Sequence, residues 1–170
     1  MDDMWLSQKD FDYIYKRVHR LCADLIIKND KGILLTKRMI PPAEGKWHFP
    51  GGTVYIGETI EQAVKRIAKA ELNVEVEIIK DVGFMEFVTK EEVYGKPVSI
   101  AFLVKIVSGE IKGSEQAMEI EFFEKLPENM MVDQKKFLRD KLGFEIAPPG
   151  FEPGSAGPEP AILDHCTTGL

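Results

Sequence analysis

Helical spacing opens the chain. Phe11, Ile14, Tyr15 and Val18 recur at intervals of three and four, Ser7 stands where an N-cap belongs, and Leu6 and Phe11 bracket it as a hydrophobic staple. This predicts a helix over about 7–19. From Leu21 the period changes: residues 21–28 read as a strand, Asn29-Asp30-Lys31-Gly32 as a turn, and residues 33–37 as the second arm of a hairpin. Pro41, Pro42, Gly45, Pro50, Gly51, Gly52 and Gly57 crowd the next stretch, so residues 39–58 are expected to be mostly a shaped loop. Loops this long in a compact domain are usually functional. Thr59 and Gln62 then form a capping-box pair, with Ile60, Ala63, Val64 and Ile67 on one helical face and an end near Leu72 or Asn73. Residues 74–89 and 98–107 are rich in β-branched and aromatic side chains and flank Tyr94-Gly95-Lys96-Pro97, a β connection. A short strand over 119–123 and a helix over 132–142, closed by Gly143 at C′, complete the pattern. The order describes an α+β domain, sheet sandwiched by helices.

Composition narrows the class. The 170 residues include 44% hydrophobic and 29% charged, enough for one soluble domain with a core that needs neither disulfides nor a structural metal. Cys22 and Cys166 lie 144 positions apart and suit neither a disulfide framework nor a zinc site, so a reducing, cytoplasmic setting is expected. No apolar run reaches transmembrane length, and the first 20 residues are too polar for a signal peptide. A net charge of −6 argues against nucleic acid or an anionic membrane as partner. Residues 147–160 hold five of the ten prolines and three glycines, a composition that cannot build a core. The expected organisation is therefore a domain over 1–146 and a disordered tail over 147–170.

Three features carry candidate chemistry. The stripe 60, 63, 64, 67 continues to position 71, which is Glu. A carboxylate on the inward face needs a metal ion, a cationic partner such as Arg66, or escape to solvent at a frayed helix end. Pro50-Gly51-Gly52, before a helix and after Lys37, Arg38 and Lys46, allows close approach of a phosphate, but such a glycine pair more often marks a plain turn with solvated lysines. Asp24, within Leu21-Cys22-Ala23-Asp24-Leu25-Ile26-Ile27, sits either at a strand edge in water or in a polar cavity.

Together, Gly52, Glu58 and Arg66 have the spacing Gly-x5-Glu-x7-Arg, and residues 20–142 resemble the Nudix hydrolase superfamily. The flanks, Ile33 to Arg38 and Gly45 to Gly52, are similar to the strand and loop before the Nudix box. The resemblance implies an α/β/α sandwich with a mixed β-sheet. The second half of the box departs: Ile67, Ala70 and Asn73 stand where the family has Glu, Glu and Gly, leaving Glu71 as the retained helix carboxylate. Arg66-Ile67-Ala68-Lys69-Ala70-Glu71-Leu72-Asn73 is similar to the depleted box of the GDP-mannose mannosyl hydrolase branch.

That branch implies hydrolysis of a nucleotide sugar at the anomeric carbon with one Mg²⁺. The implied metal ligands are the Gly51 carbonyl, Glu71 and Gln116. Arg38 and Arg66 would assist the diphosphate leaving group, and Asp24 would lie near the reacting sugar. Lys37, Arg38, Lys46 and Gly52 would bind substrate. Ala117 replaces the branch's histidine base; His48, Glu115 and Glu119 are conceivable substitutes. A homodimer is also implied, with the first helix either meeting the second copy or capping its own core. Two alternatives stay open: a pyrophosphohydrolase acting on ADP-ribose or a nucleoside triphosphate, and a nucleotide-binding protein without turnover. Sugar plus nucleoside diphosphate, two phosphate-bearing halves, or tight binding without product separates the three.

Overall fold

The computed structural model describes residues 6–41, 43–88, 96–113 and 119–148. Its elements, in chain order, are α1 (Gln8–Tyr15), β1 (Leu21–Asn29), β2 (Gly32–Lys37), β3 (Trp47–His48), β4 (Gly51–Thr53), α2 (Ile60–Leu72), β5 (Val74–Glu86), β6 (Val98–Gly109), β7 (Ile120–Phe123) and α3 (Val132–Leu142). The α+β expectation holds, with a mixed sheet of seven strands.

Local signals set the helix starts. Ser7 Oγ accepts from Asp10 N–H, and the Thr59–Gln62 capping box makes both of its hydrogen bonds. Helix α1 ends earlier than its periodicity suggests, at Tyr15, because Tyr15 is its last buried anchor and Val18 is exposed. Helix α2 ends firmly rather than fraying: Leu72 is fully buried, and Asn73 takes a left-handed conformation with its N–H on the Ala68 and Lys69 carbonyls.

Strand β1 is the hub. It runs parallel to β6 from Leu21↔Val98 to Ile27↔Val104, and antiparallel to β2 only at Lys28↔Ile33 and Asn29↔Gly32. Beyond that hairpin β1 and β2 take different partners: β1 pairs with β4, while β2 pairs with β3 and β7. The stretch read as loop thus contains two very short strands that seal this split. Gly32, at φ +114°, leaves no room for a Cβ against the Phe123 carbonyl, which brings β7 close.

Both sheet faces are covered. On one, Ala23, Leu25, Ile27 and Leu34 pack under Val64, Ile67, Ala68 and Leu72 of α2; on the other, Ile26, Ile33 and Leu35 pack with Phe137 and Leu138 of α3. Each large buried aliphatic contributes about 1.5–3 kcal/mol, so α2 is held by packing as well as by its caps. Ala147 is also buried and donates its N–H to the Leu126 carbonyl, so ordered packing reaches one residue past the expected domain end. Residues 149–170 lie outside the described residues.

Candidate active site

The Pro50-Gly51-Gly52 turn enters β4 against β1, with Asp24 opposite Gly51 and Ala23 opposite Gly52. The Pro50 carbonyl accepts from Leu25 N–H at 2.8 Å. An Asp24 carboxyl oxygen occupies the place a Cβ on residue 51 would need, so any side chain there would displace that carboxyl. At residue 52 a Cβ would meet Ile67 Cγ1 at 3.4 Å.

Helix α2 presents two carboxylates to this region under different circumstances. Glu58, just before the helix, is gripped by Arg66: Nη2 to Oε1 at 2.6 Å and Nε to Oε2 at 3.0 Å, with Tyr55 N–H donating to Oε1 at 2.6 Å. Arg66 also donates to the Thr53 carbonyl at 2.8 Å and stacks on the Tyr55 ring, its guanidinium carbon 3.8 Å from the centroid. The Arg66 hydrogen bonds hold Glu58 below the usual carboxylate range against the opposing effect of burial. One helix end away, Glu71 points inward instead of escaping to solvent. Among the described residues its hydrogen-bond donor is Gly51 N–H, 3.2 Å from Oε2. Burial, reinforced by the charge of Asp24, pushes Glu71 up to about 8, against the pull of Gly51 N–H, Arg38 and Arg66.

Asp24 is not at a wet strand edge. Flanked by β4 and β6, it is 5% exposed, and burial raises it to about 7 against the pull of Ser99, Gln134 and Arg20. Its Oδ2 accepts from Gln134 Nε2 at 3.4 Å. Gln134 Oε1 in turn accepts from Phe49 N–H at 2.8 Å. His48 lies beside them. Its Nδ1 donates to the Phe49 carbonyl at 2.5 Å, which leaves Nε2 as the acceptor, 3.4 Å from Thr36 Oγ1. Burial and Arg38 lower His48 to about 4, so it is neutral at pH 7 and only weakly basic.

These groups converge on a cavity of about 200 Å³ whose walls include Arg20, Asp24, Arg38, His48, Gly51, Gly52 and Gln134, with Phe87, Pro97 and Met131 as an apolar side. The structure therefore brings together Asp24, Arg38, Gly51 and Gly52 of the expected site residues, with Glu71 reaching the same turn. Lys37 is engaged elsewhere, its Nζ 2.9 Å from Glu119 Oε2 and over the Trp47 ring. Lys46 pairs through its carbonyl with Arg38 N–H. Arg66 reaches the turn through Glu58 and Thr53. Glu115, Gln116 and Ala117 lie outside the described residues. Gln134 and Arg20 escaped sequence reasoning. Gln134 had a signal: it is a polar residue on the buried stripe of α3 shared with Phe137 and Leu138.

The Nudix domain family matches residues 18–141. The chain belongs to the Nudix family. It is 34% identical over 127 residues to an ADP-ribose pyrophosphatase of Methanocaldococcus jannaschii, covering 74% of each chain. It is 33% identical over 128 residues to the low-salt glycan biosynthesis protein Agl8 of Haloferax volcanii, covering 72% of this chain and 78% of that one. A MutT Nudix hydrolase structure from Burkholderia pseudomallei superposes with a TM-score of 0.67 at 25% identity, covering 74% of this chain and 99% of that one.

On this Nudix fold the departures from the box acquire physical meaning. Ile67 is 2% exposed and packs in the α2 core, whereas Ala70 faces solvent. Asn73 adopts φ +58° at the position the pattern gives to glycine. No group of three or more acidic, His or Cys side chains with metal-site geometry occurs among the described residues. A divalent cation nonetheless suits the donor chemistry at the Gly51 turn, which offers main-chain carbonyl oxygen and the hard-oxygen carboxylate of Glu71, held 3.2 Å from Gly51 N–H.

Proposed function

We propose that this Nudix protein is a Mg²⁺-dependent hydrolase of nucleoside-diphosphate-linked compounds, with nucleotide sugars of the GDP-mannose type as its preferred substrates. One observation carries the reading: of the box-helix positions, only Glu71 offers a carboxylate at the Gly51 turn, while Ile67 is core and Ala70 is solvent-facing. Such a site suits a single cation and the stabilisation of a departing diphosphate. Clustered metals activating water against phosphorus would need more oxygen ligands.

In this reading the Gly51 carbonyl and Glu71 would hold the Mg²⁺, with Gln116, outside the described residues, as the third expected ligand; the ion would supply neutralisation of diphosphate charge. Arg38, on the cavity wall, meets the leaving group, together with Lys46 and the Gly52 main chain. Asp24 faces the sugar. Arg66 serves by position, fixing Glu58 and Thr53 and so the start of α2, and Lys37 steadies the Glu119 end of β7. The water oxygen would bond to the anomeric carbon as the bond from that carbon to the diphosphate oxygen breaks, giving the free sugar and the nucleoside diphosphate, with the proton of the attacking water passing to solvent.

The likeness to a glycan biosynthesis protein supports the sugar-linked class. The likeness to an ADP-ribose pyrophosphatase favours the second reading, cleavage within the diphosphate. A panel of nucleotide sugars, ADP-ribose and nucleoside triphosphates with Mg²⁺, run in ¹⁸O-water, tests both. Label in the sugar and none in the nucleoside diphosphate is expected; label in phosphate would reject the proposal for the second reading. Binding without product from any member would reject both in favour of a non-catalytic nucleotide binder.

A further inference from the structure

The amide of Gln134 lies 3% exposed in the first turn of α3, in a stripe otherwise made of Phe137 and Leu138. A buried amide is retained at a cost unless both ends are satisfied. Both are, and the partners come from distant parts of the chain. Phe49 N–H can only donate, so the oxygen of the amide must face it, at 2.8 Å. The NH₂ end is then forced toward Asp24, at 3.4 Å from Oδ2. The orientation follows from a main-chain donor and not from a choice between two similar atoms.

The consequence reaches the turn that carries Gly51. Phe49 and Pro50 precede it, and it is pinned to β1 by Leu25 N–H on the Pro50 carbonyl, next to Asp24. Gln134 supplies the opposite anchor, from α3, through Phe49. The Asp24 carboxyl lies where a Cβ on residue 51 would be, so the turn and this carboxyl are in close approach. We propose that Gln134 is a positioning residue: it locks the Phe49–Gly51 turn and the Asp24 carboxyl in one arrangement on the cavity wall. The inference rests on the hydrolase reading for what that arrangement does, and it adds a residue outside the box and its flanking loop.

The test is Gln134→Met, which keeps volume and removes both contacts, against Leu138→Ala, which opens a cavity in the same helix and the same core cluster as Phe49 but leaves both Gln134 hydrogen bonds in place. Steady-state kinetics use the nucleoside-diphosphate-linked compound the wild type hydrolyses, well below the melting temperatures. Amide exchange at Phe49 is followed by NMR. Gln134→Met is expected to lower kcat about 10- to 100-fold with KM within about threefold, as loss of supporting contacts around reactive groups usually does. Phe49 exchange should accelerate at least about tenfold. Leu138→Ala should lose more stability and keep kcat within about threefold. Unchanged kcat in Gln134→Met, or equal kcat losses in both variants, would overturn the inference. Unchanged Phe49 protection would overturn it as well. Because exchange needs no turnover, failure of the hydrolase reading would show as an inactive wild type with the exchange result intact.

Discussion

Glu58, just before α2, and Glu71, in its last turn, share one sequence motif and lead opposite lives. Glu58 has three charge-assisted or backbone donors and a depressed pKa; it is complete without any ligand. Glu71 has one backbone donor among the described residues, a part-buried carboxyl and a pKa pushed up to about 8 mainly by burial; in the proposed function a cation completes it. A motif residue therefore does not announce its job by its spacing. The satisfied carboxylate builds the scaffold, and the under-satisfied one is the candidate for chemistry in the proposed function.

The largest effect should come from Glu71→Gln, which keeps shape and hydrogen bonding but removes the charge. Mg²⁺-dependent turnover is expected to fall by more than about 10²-fold, with the metal-free protein as stable as the wild type at pH 5.5. The pH dependence sharpens this. Folded Glu71 and Asp24, at about 8 and 7, bind protons more tightly than their ordinary values of 4.5 and 3.8. The folded state then holds more protons than the unfolded state between those limits, so stability in EDTA should fall as pH rises from about 4 through 8. Urea midpoints at pH 5.5 and 8.5 check the sign. Glu71→Gln should flatten the fall; an identical fall in the variant would place the cost elsewhere.

Restoring the box is the next probe, and the two missing glutamates should behave differently. Ile67→Glu would bury a carboxylate against Gly52 and should cost about 3 kcal/mol by denaturation. Arg66→Ala should cost about 2 kcal/mol by stranding the partly buried Glu58, with Tyr55 losing its stacking partner. A smaller loss than that of an exposed ion pair would mean that the Glu58 side of the comparison is only decorative. Ala70→Glu, on the solvent face, should stay within about 0.5 kcal/mol of the wild type.

What the sequence disclosed follows the range of the forces involved. Helices α2 and α3 were legible because caps, stripes and terminal residues are all local, down to Gly143 beyond Leu142. Position 71 was marked as inward by periodicity, but three fates for its carboxylate remained until Gly51 N–H was seen upon it. Strands β3 and β4 were hidden in a glycine- and proline-rich stretch, since two- and three-residue strands exist only by pairing with β2 and β1. Asp24 could not be placed from its own neighbours, because its burial is decided by β4 and β6 on either side. Its link to Gln134 spans 110 positions and leaves no trace in spacing. The family resemblance implies roles for Glu71 and Arg66 together; the geometry shows Arg66 engaged with Glu58 and Thr53, and Glu71 with one backbone donor among the described residues.

Calorimetric titration of Mn²⁺, a probe for the Mg²⁺ site, into wild type, Glu71→Gln and Glu58→Gln at pH 7 most directly tests that separation. Repeating it in buffers of different ionisation enthalpy counts released protons. One site per chain is predicted, with proton release on binding, lost in Glu71→Gln and kept in the less stable Glu58→Gln. Equal binding by Glu71→Gln, or two or more sites in the wild type, would contradict it.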